Sequence, residues 1–118
     1  MFEINPHAVH ERKEIGKNGV EKLFVAAVRK AGGRAYKFTS PGNRGVSDRL
    51  VLFPSQVWFV EIKKGTGKLT PLQVVFQEFI TGLGLNHFVV YGEAGIDEFM
   101  EIANAKSREI ERLRSKEV

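Results

Sequence analysis

Residues 48–63, DRLVLFPSQVWFVEIK, decide how this chain folds. Two apolar runs rich in Val, Leu, Phe, Trp and Ile, residues 49–53 and 56–63, are separated only by Pro54-Ser55, which predicts a β-hairpin. Side chains alternate faces along a strand, so in the second run Glu61 and Lys63 point one way while Trp58, Val60 and Ile62 point the other. A hairpin symmetric about Pro54-Ser55 sets Asp48 opposite Glu61, and a loop of two or four residues preserves that register. Directly opposed side chains have Cβ atoms ~4.5–5.5 Å apart, close enough for two carboxylates to share one cation and unfavourable without one.

Outward from the hairpin, the periodicity changes. Residues 18–31 carry Val20, Leu23, Phe24, Ala27 and Val28 at helical spacing, with Asn18 as a candidate cap and Gly32-Gly33 as the stop. Residues 34–38 read as a short strand, and residues 39–45, TSPGNRG, as a loop of turn formers. After a second glycine loop, Thr70-Pro71 opens a helix with a hydroxyl cap, a proline at the first position and Gln73 three residues on. Leu72, Val75, Phe76, Phe79, Ile80 and Leu83 form its expected buried stripe, and residues 82–86 end it. Residues 88–91 predict a buried strand. A final helix runs from about Ile96 to Lys116 within a C-terminal segment 95–118, amphipathic first and then increasingly charged. Trp58, Phe59, Phe76, Phe79 and Phe88 are expected to fill the core.

The order α-β-β-β-α-β-α defines an α/β domain with a mixed central sheet flanked by helices. The helix between the third and fourth strands is a crossover, which makes those strands parallel. One domain spans 1–118, with a core at 17–92 and an unassigned segment 1–16. A chain of 118 residues can bury most of its apolar surface without staples, and it contains no cysteine. Thiolate zinc sites, cysteine nucleophiles and disulfides are thereby excluded, as suits a reducing cytoplasm. No signal-peptide pattern and no run of 18 apolar residues is present, so secretion and membrane spanning are not expected. A net charge of +4 favours a polyanionic partner.

Two opposed carboxylates with an ammonium two residues beyond one of them fit a site built around a divalent ion. Oxygen ligands without Cys or a well-placed His favour Mg²⁺ or Mn²⁺ over zinc, and the natural substrate of such a site is a phosphate. Such an ion polarises a phosphoryl oxygen and lowers the pKa of a water, while Lys63 orients that water or neutralises charge growing on phosphorus. As plain surface residues, the same three side chains would make an ion pair of little worth. Gly65-Thr66-Gly67-Lys68 does not complete a phosphate loop, which would need glycine at Ile62 and a hydroxyl at Leu69. His7, His10 and Glu11 are read as a solvated terminus rather than a metal cluster. Lys37, Arg44, Arg49, Lys64 and Lys68 flank the carboxylates where contacts to a nucleic-acid backbone are wanted.

Gly45-Val46-Ser47-Asp48-Arg49, Val60-Glu61-Ile62-Lys63 and Gly67-Lys68-Leu69-Thr70-Pro71-Leu72-Gln73 together resemble the VRR-NUC branch of the PD-(D/E)XK nuclease superfamily. The likeness covers nearly all of residues 21–91 and implies a restriction-endonuclease-like core. It implies metal ligation by Asp48, Glu61 and the backbone carbonyl of Ile62, with Glu21 joining through water. Lys63 would act as catalytic base or transition-state stabiliser, positioned by Gln73. Each helical residue also has a local explanation: Gln73 completes a capping box with Thr70, and Glu21 suits an early helical turn. Ser47 stands where the family usually carries proline.

The resemblance implies a Mg²⁺- or Mn²⁺-dependent DNA endonuclease in a bacterial cell or phage-infected host. Standalone members resemble resolvases that act as homodimers on branched DNA, so four-way junctions are the expected substrate and the last helix, or the exposed side of the first, the expected dimer contact. A sequence-specific or nicking endonuclease on duplex DNA, and a non-catalytic nucleic-acid-binding module, are the competing expectations.

Overall fold

The computed structural model describes residues 15–116. His7, His10 and Glu11 lie outside the described residues, as do the last two residues of the C-terminal segment. The elements are α1 (Lys17–Lys30), β1 (Arg34–Lys37), β2 (Arg49–Phe53), β3 (Gln56–Lys63), α2 (Pro71–Gly82), β4 (Asn86–Tyr91) and α3 (Gly92–Ser115). They form one four-stranded sheet in the order β1-β2-β3-β4. β2 runs antiparallel to both of its neighbours, β1 and β3, and β4 adds parallel to β3, as the crossover through α2 requires.

The β2–β3 register is the one expected from symmetry about Pro54-Ser55. Phe53 pairs with Gln56 and Arg49 with Val60, which leaves a two-residue turn with Ser55 at φ 62°. Val51, Trp58, Val60, Ile62 and Val90 face a single core, which α1 closes with Val20, Phe24, Ala27 and Val28 and α3 with Ile96, Phe99, Met100 and Ala103. Phe99 sits at its centre, edge-on to both Phe24 and Trp58 at 5.2 Å between ring centroids. Gln56 is buried at the hairpin turn and fully used. It accepts from Trp58 Nε1 at 2.8 Å and donates to the Ala103 carbonyl at 3.0 Å and to Ser107 Oγ at 2.8 Å, tying the hairpin to α3.

The opposite face of the sheet is covered by α2, a helix of 12 residues. A smaller aromatic cluster joins them: Phe59 of β3 meets Phe76 of α2 at 5.9 Å and Phe38 at 5.8 Å. Here the expected burial is corrected. Of the apolar stripe on α2 only Ile80 is buried, Phe76 is half-buried, and Leu72, Val75, Phe79 and Leu83 are exposed, Phe79 by 62%. Phe59 and Phe88 are likewise only partly buried, so of the five aromatics expected in the core Trp58 alone is fully enclosed. Periodicity locates an apolar stripe, but the width of the neighbour decides how much of it is covered, and a short helix on the rim of a four-stranded sheet leaves its outer half to solvent.

Two helix starts also differ from expectation. Asn18 is not the cap of α1: Gly16 holds that position without a side-chain hydrogen bond, and Asn18 lies inside the first turn. The last helix begins at Gly92, directly after β4, rather than near Ile96. Gly92 takes φ +65°, and a Cβ there would stand 3.2 Å from the Gly65 backbone, so a glycine turns the chain from strand into helix beside the loop that follows β3.

Candidate active site

The hairpin brings Asp48 and Glu61 together through the backbone as well as through register. Asp48 immediately precedes β2; its carbonyl accepts from Phe38 N at 2.9 Å and its Oδ2 accepts from Ile62 N at 2.7 Å. That second bond clamps the carboxylate to the strand that carries Glu61. Glu61 itself is 2% exposed, the only ionisable side chain buried among the described residues.

Three nitrogen donors answer its Oε2. Gln73 Nε2 donates at 3.1 Å, Lys63 Nζ stands at 3.7 Å and Lys17 Nζ at 3.8 Å. Lys17 Nζ also lies 3.0 Å from Asp48 Oδ1. Burial, then the charge and hydrogen bond of Asp48, push the Glu61 carboxyl up to about 7, with Lys17 and Lys63 pulling the other way. The site is therefore two acids held close by two ammonium groups, with one acid poised between charged and neutral.

Gln73 caps its helix and also reaches the site, but at Glu61 rather than at Lys63, the residue it was expected to position. Its backbone N–H donates to Thr70 Oγ1 at 3.2 Å and its Oε1 accepts from Thr70 N at 2.9 Å, a complete capping box. The other end of the same amide reaches Glu61. The helix carrying it is seated by Gly45, where φ is +95° and a Cβ would come within 2.6 Å of the Leu72 backbone. Any larger residue there would push α2, and Gln73 with it, off the sheet.

The remaining expected residues divide. Glu21 is not directed at the carboxylate pair; its Oε2 accepts from Arg49 Nε at 2.8 Å. Arg49 is committed twice, donating from Nη1 to the Ala35 carbonyl at 3.1 Å. Lys37, Arg44, Lys64 and Lys68 are exposed. An open groove of about 410 Å³ between α1 and the first two strands is lined by Glu21, Lys22, Lys37 and Arg49. Ser47 is buried at 1% exposure, and its Oγ has no hydrogen-bond partner among the described residues. Ile62 gives its N–H to Asp48 and buries its side chain on the core face.

Lys17 escaped the sequence reading. Its signal was present: it lies one helical turn before Glu21, and residues at i and i+4 share a face.

A mixed sheet with an Asp and a Glu-x-Lys strand on one face, covered by a helix that supplies Gln73, has the architecture of the PD-(D/E)XK nucleases. Comparison with models of known families returns no match. The chain is 47% identical over 77 residues to “Putative nuclease p44” of Acyrthosiphon pisum secondary endosymbiont phage 1, an alignment covering 64% of this chain and 81% of that protein. A solved VRR_NUC domain superposes with a TM-score of 0.66 at 29% identity, covering 72% of this chain and 94% of that one. The chain belongs to the VRR-NUC family of nuclease domains.

Proposed function

We propose that this domain is a divalent-metal-dependent DNA endonuclease, using Mg²⁺ or Mn²⁺, that acts on branched DNA as a homodimer in the manner of a Holliday-junction resolvase. The observation that carries the reading is the buried Glu61 beside Asp48. Two acids in a protein interior repel and lose hydration together, a cost that a cation between them offsets. The donor set fits such an ion: Asp48 Oδ1 and Glu61 Oε2 both lie within 4 Å of one ammonium nitrogen, and every available ligand atom is oxygen. Asp48, Glu61 and the carbonyl of Ile62 would hold the ion, which when bound supplies charge neutralisation at the phosphate and eases deprotonation of water.

The chain's own groups do the rest. Gln73 fixes the rotation of the Glu61 carboxylate, so the acid faces the substrate in one orientation. Lys63, two residues along the same strand, places its ammonium where charge accumulates as water adds to phosphorus and the opposite P–O bond breaks. Lys37, Arg44, Lys64 and Lys68 are exposed and would bind phosphates on either side, with the groove bearing Lys37 available to hold one strand. Glu21 and Arg49 hold each other and thereby hold α1 against β2, so Glu21 would join a metal site only through water.

Two-fold assembly has a surface to support it. The exposed Leu72, Val75, Phe79 and Leu83 lie along one side of α2, which carries Glu78 as its only charged residue, and an open groove of about 420 Å³ separates that side from Phe38, Arg44 and Val46. Apolar, charge-poor patches of this kind are typical of interface centres. This surface favours α2 over α1 or α3 as the dimer contact, and a symmetric pair of sites would suit symmetric incision of a four-way junction.

The test is cleavage of a labelled four-way junction beside a linear duplex of matched sequence, with Mg²⁺, Mn²⁺ or chelator. Metal-dependent cutting of the junction alone is expected. Equal cutting of the duplex would replace the resolvase reading with a duplex endonuclease, and binding without cutting would make the domain a binding module.

A further inference from the structure

Lys17 stands where a lysine is disfavoured. It is the first residue of α1, whose N-terminal partial positive charge repels cations, and no acidic residue in that first turn compensates. Its ammonium nevertheless lies between the two acids, 3.0 Å from Asp48 Oδ1 and 3.8 Å from Glu61 Oε2. Lys63 reaches Glu61 at 3.7 Å, but among the described residues only Lys17 makes an ion pair with both acids. The ammonium is thus the partner of the same oxygens that the proposed metal ion would need.

We infer that Lys17 is a built-in cation that neutralises the Asp48–Glu61 pair in the metal-free protein and has to be displaced when a divalent ion binds. The inference rests on the proposed metal-dependent reading. It makes metal entry an exchange of one cation for another, so the acids never face each other uncompensated, and it sets metal affinity through a residue that is not a ligand. At 40% side-chain exposure, Lys17 has solvent beside it into which it can swing. Competition for one position is a negative coupling, so removing the ammonium should strengthen metal binding while weakening the metal-free fold.

Two measurements test this. In the first, Mn²⁺ binding is followed by calorimetry, and melting in chelator by circular dichroism, for wild type, Lys17→Met and Lys17→Gln. Both variants should bind Mn²⁺ at least about five-fold more tightly and melt at lower temperature without metal. Unchanged or weaker binding by the variants would overturn the inference while leaving the metal site intact; no binding by wild type would remove the metal reading with it. In the second, the unaltered protein is acetylated at lysine with and without Mn²⁺ and read by mass spectrometry, with exposed Lys22 as the internal reference. Lys17 labelling should rise several-fold relative to Lys22 when Mn²⁺ is present. Equal labelling in both conditions would show that the ammonium does not move.

Discussion

Gln73 and Glu61 are joined by a 3.1 Å hydrogen bond from Nε2 to Oε2, while Oε1 of the same amide accepts from Thr70 N at 2.9 Å. The cap of α2 and the orientation of the buried acid are thus two ends of one side chain. The chemistry assigns the amide as well: only its NH₂ end can face a carboxylate, and only its carbonyl end can accept from Thr70 N.

Substitutions at Gln73 separate these roles. Gln73→Glu keeps an acceptor for Thr70 N but turns a second carboxylate towards Glu61, so cleavage should fall at least about ten-fold while helix capping survives. Gln73→Ala removes both bonds and should also cost about 1 kcal/mol of stability. Single-turnover cleavage and urea melts read the two effects apart; equal activity of Gln73→Glu and wild type would confine Gln73 to its cap.

The raised Glu61 carboxyl makes the metal-free protein sensitive to pH. Below pH 4.5 the group is protonated in both folded and unfolded chains; between 4.5 and about 7 the unfolded chain loses its proton first, so the folded state loses stability as pH rises through that window. His87, whose pKa burial lowers from 6.5, acts in the opposite sense, losing stability as pH falls. Comparison with Glu61→Gln isolates the acid. In chelator the variant should gain on wild type between pH 4.5 and 7, by up to about 3 kcal/mol, and a pH-independent difference would contradict the assigned environment.

Ser47 carries a buried hydroxyl with no partner among the described residues. Ser47→Ala should therefore be neutral or stabilising by up to about 1 kcal/mol, because it deletes an unsatisfied polar group at little change in volume. Destabilisation by more than that in a chemical melt would mean that the hydroxyl is bonded in solution.

The exposed side of α2 predicts the oligomeric state. Phe79→Asp or Val75→Asp puts a charge in the centre of the apolar patch and should convert the proposed dimer to a monomer in light scattering, with the secondary structure seen by circular dichroism retained because both positions are solvent-facing in the isolated chain. Dimers that persist in both variants would place the contact elsewhere.

Much of the fold was legible because the hairpin is over-determined. The strand-forming run over residues 57–63, with Glu61 and Lys63 flanking Ile62, and a two-residue turn leave one register that keeps Trp58, Val60 and Ile62 in the core, and that register sets Asp48 beside Glu61. The helix cap at Thr70 was equally plain from Pro71 and Gln73. What stayed hidden depends on neighbours rather than on pattern. The exposure of Phe79 follows from the limited cover that one short helix gives the sheet. The early start of α3 was masked because Gly92 and Gly95 are poor helix formers, and it is the positive φ of Gly92 that lets the helix begin directly against β4. Likewise, the pairing of Glu21 with Arg49 joins residues far apart in sequence, where no periodicity links them.

The most direct test is strand cleavage by Glu61→Gln, which preserves the size of the side chain and its bond to Gln73 while removing the charge. Folded and DNA-binding protein that no longer cuts with Mg²⁺ or Mn²⁺, against an active wild type, is the predicted result. Cleavage by Glu61→Gln at the wild-type rate would contradict the account, because the catalytic centre would then lie away from the Asp48–Glu61 pair.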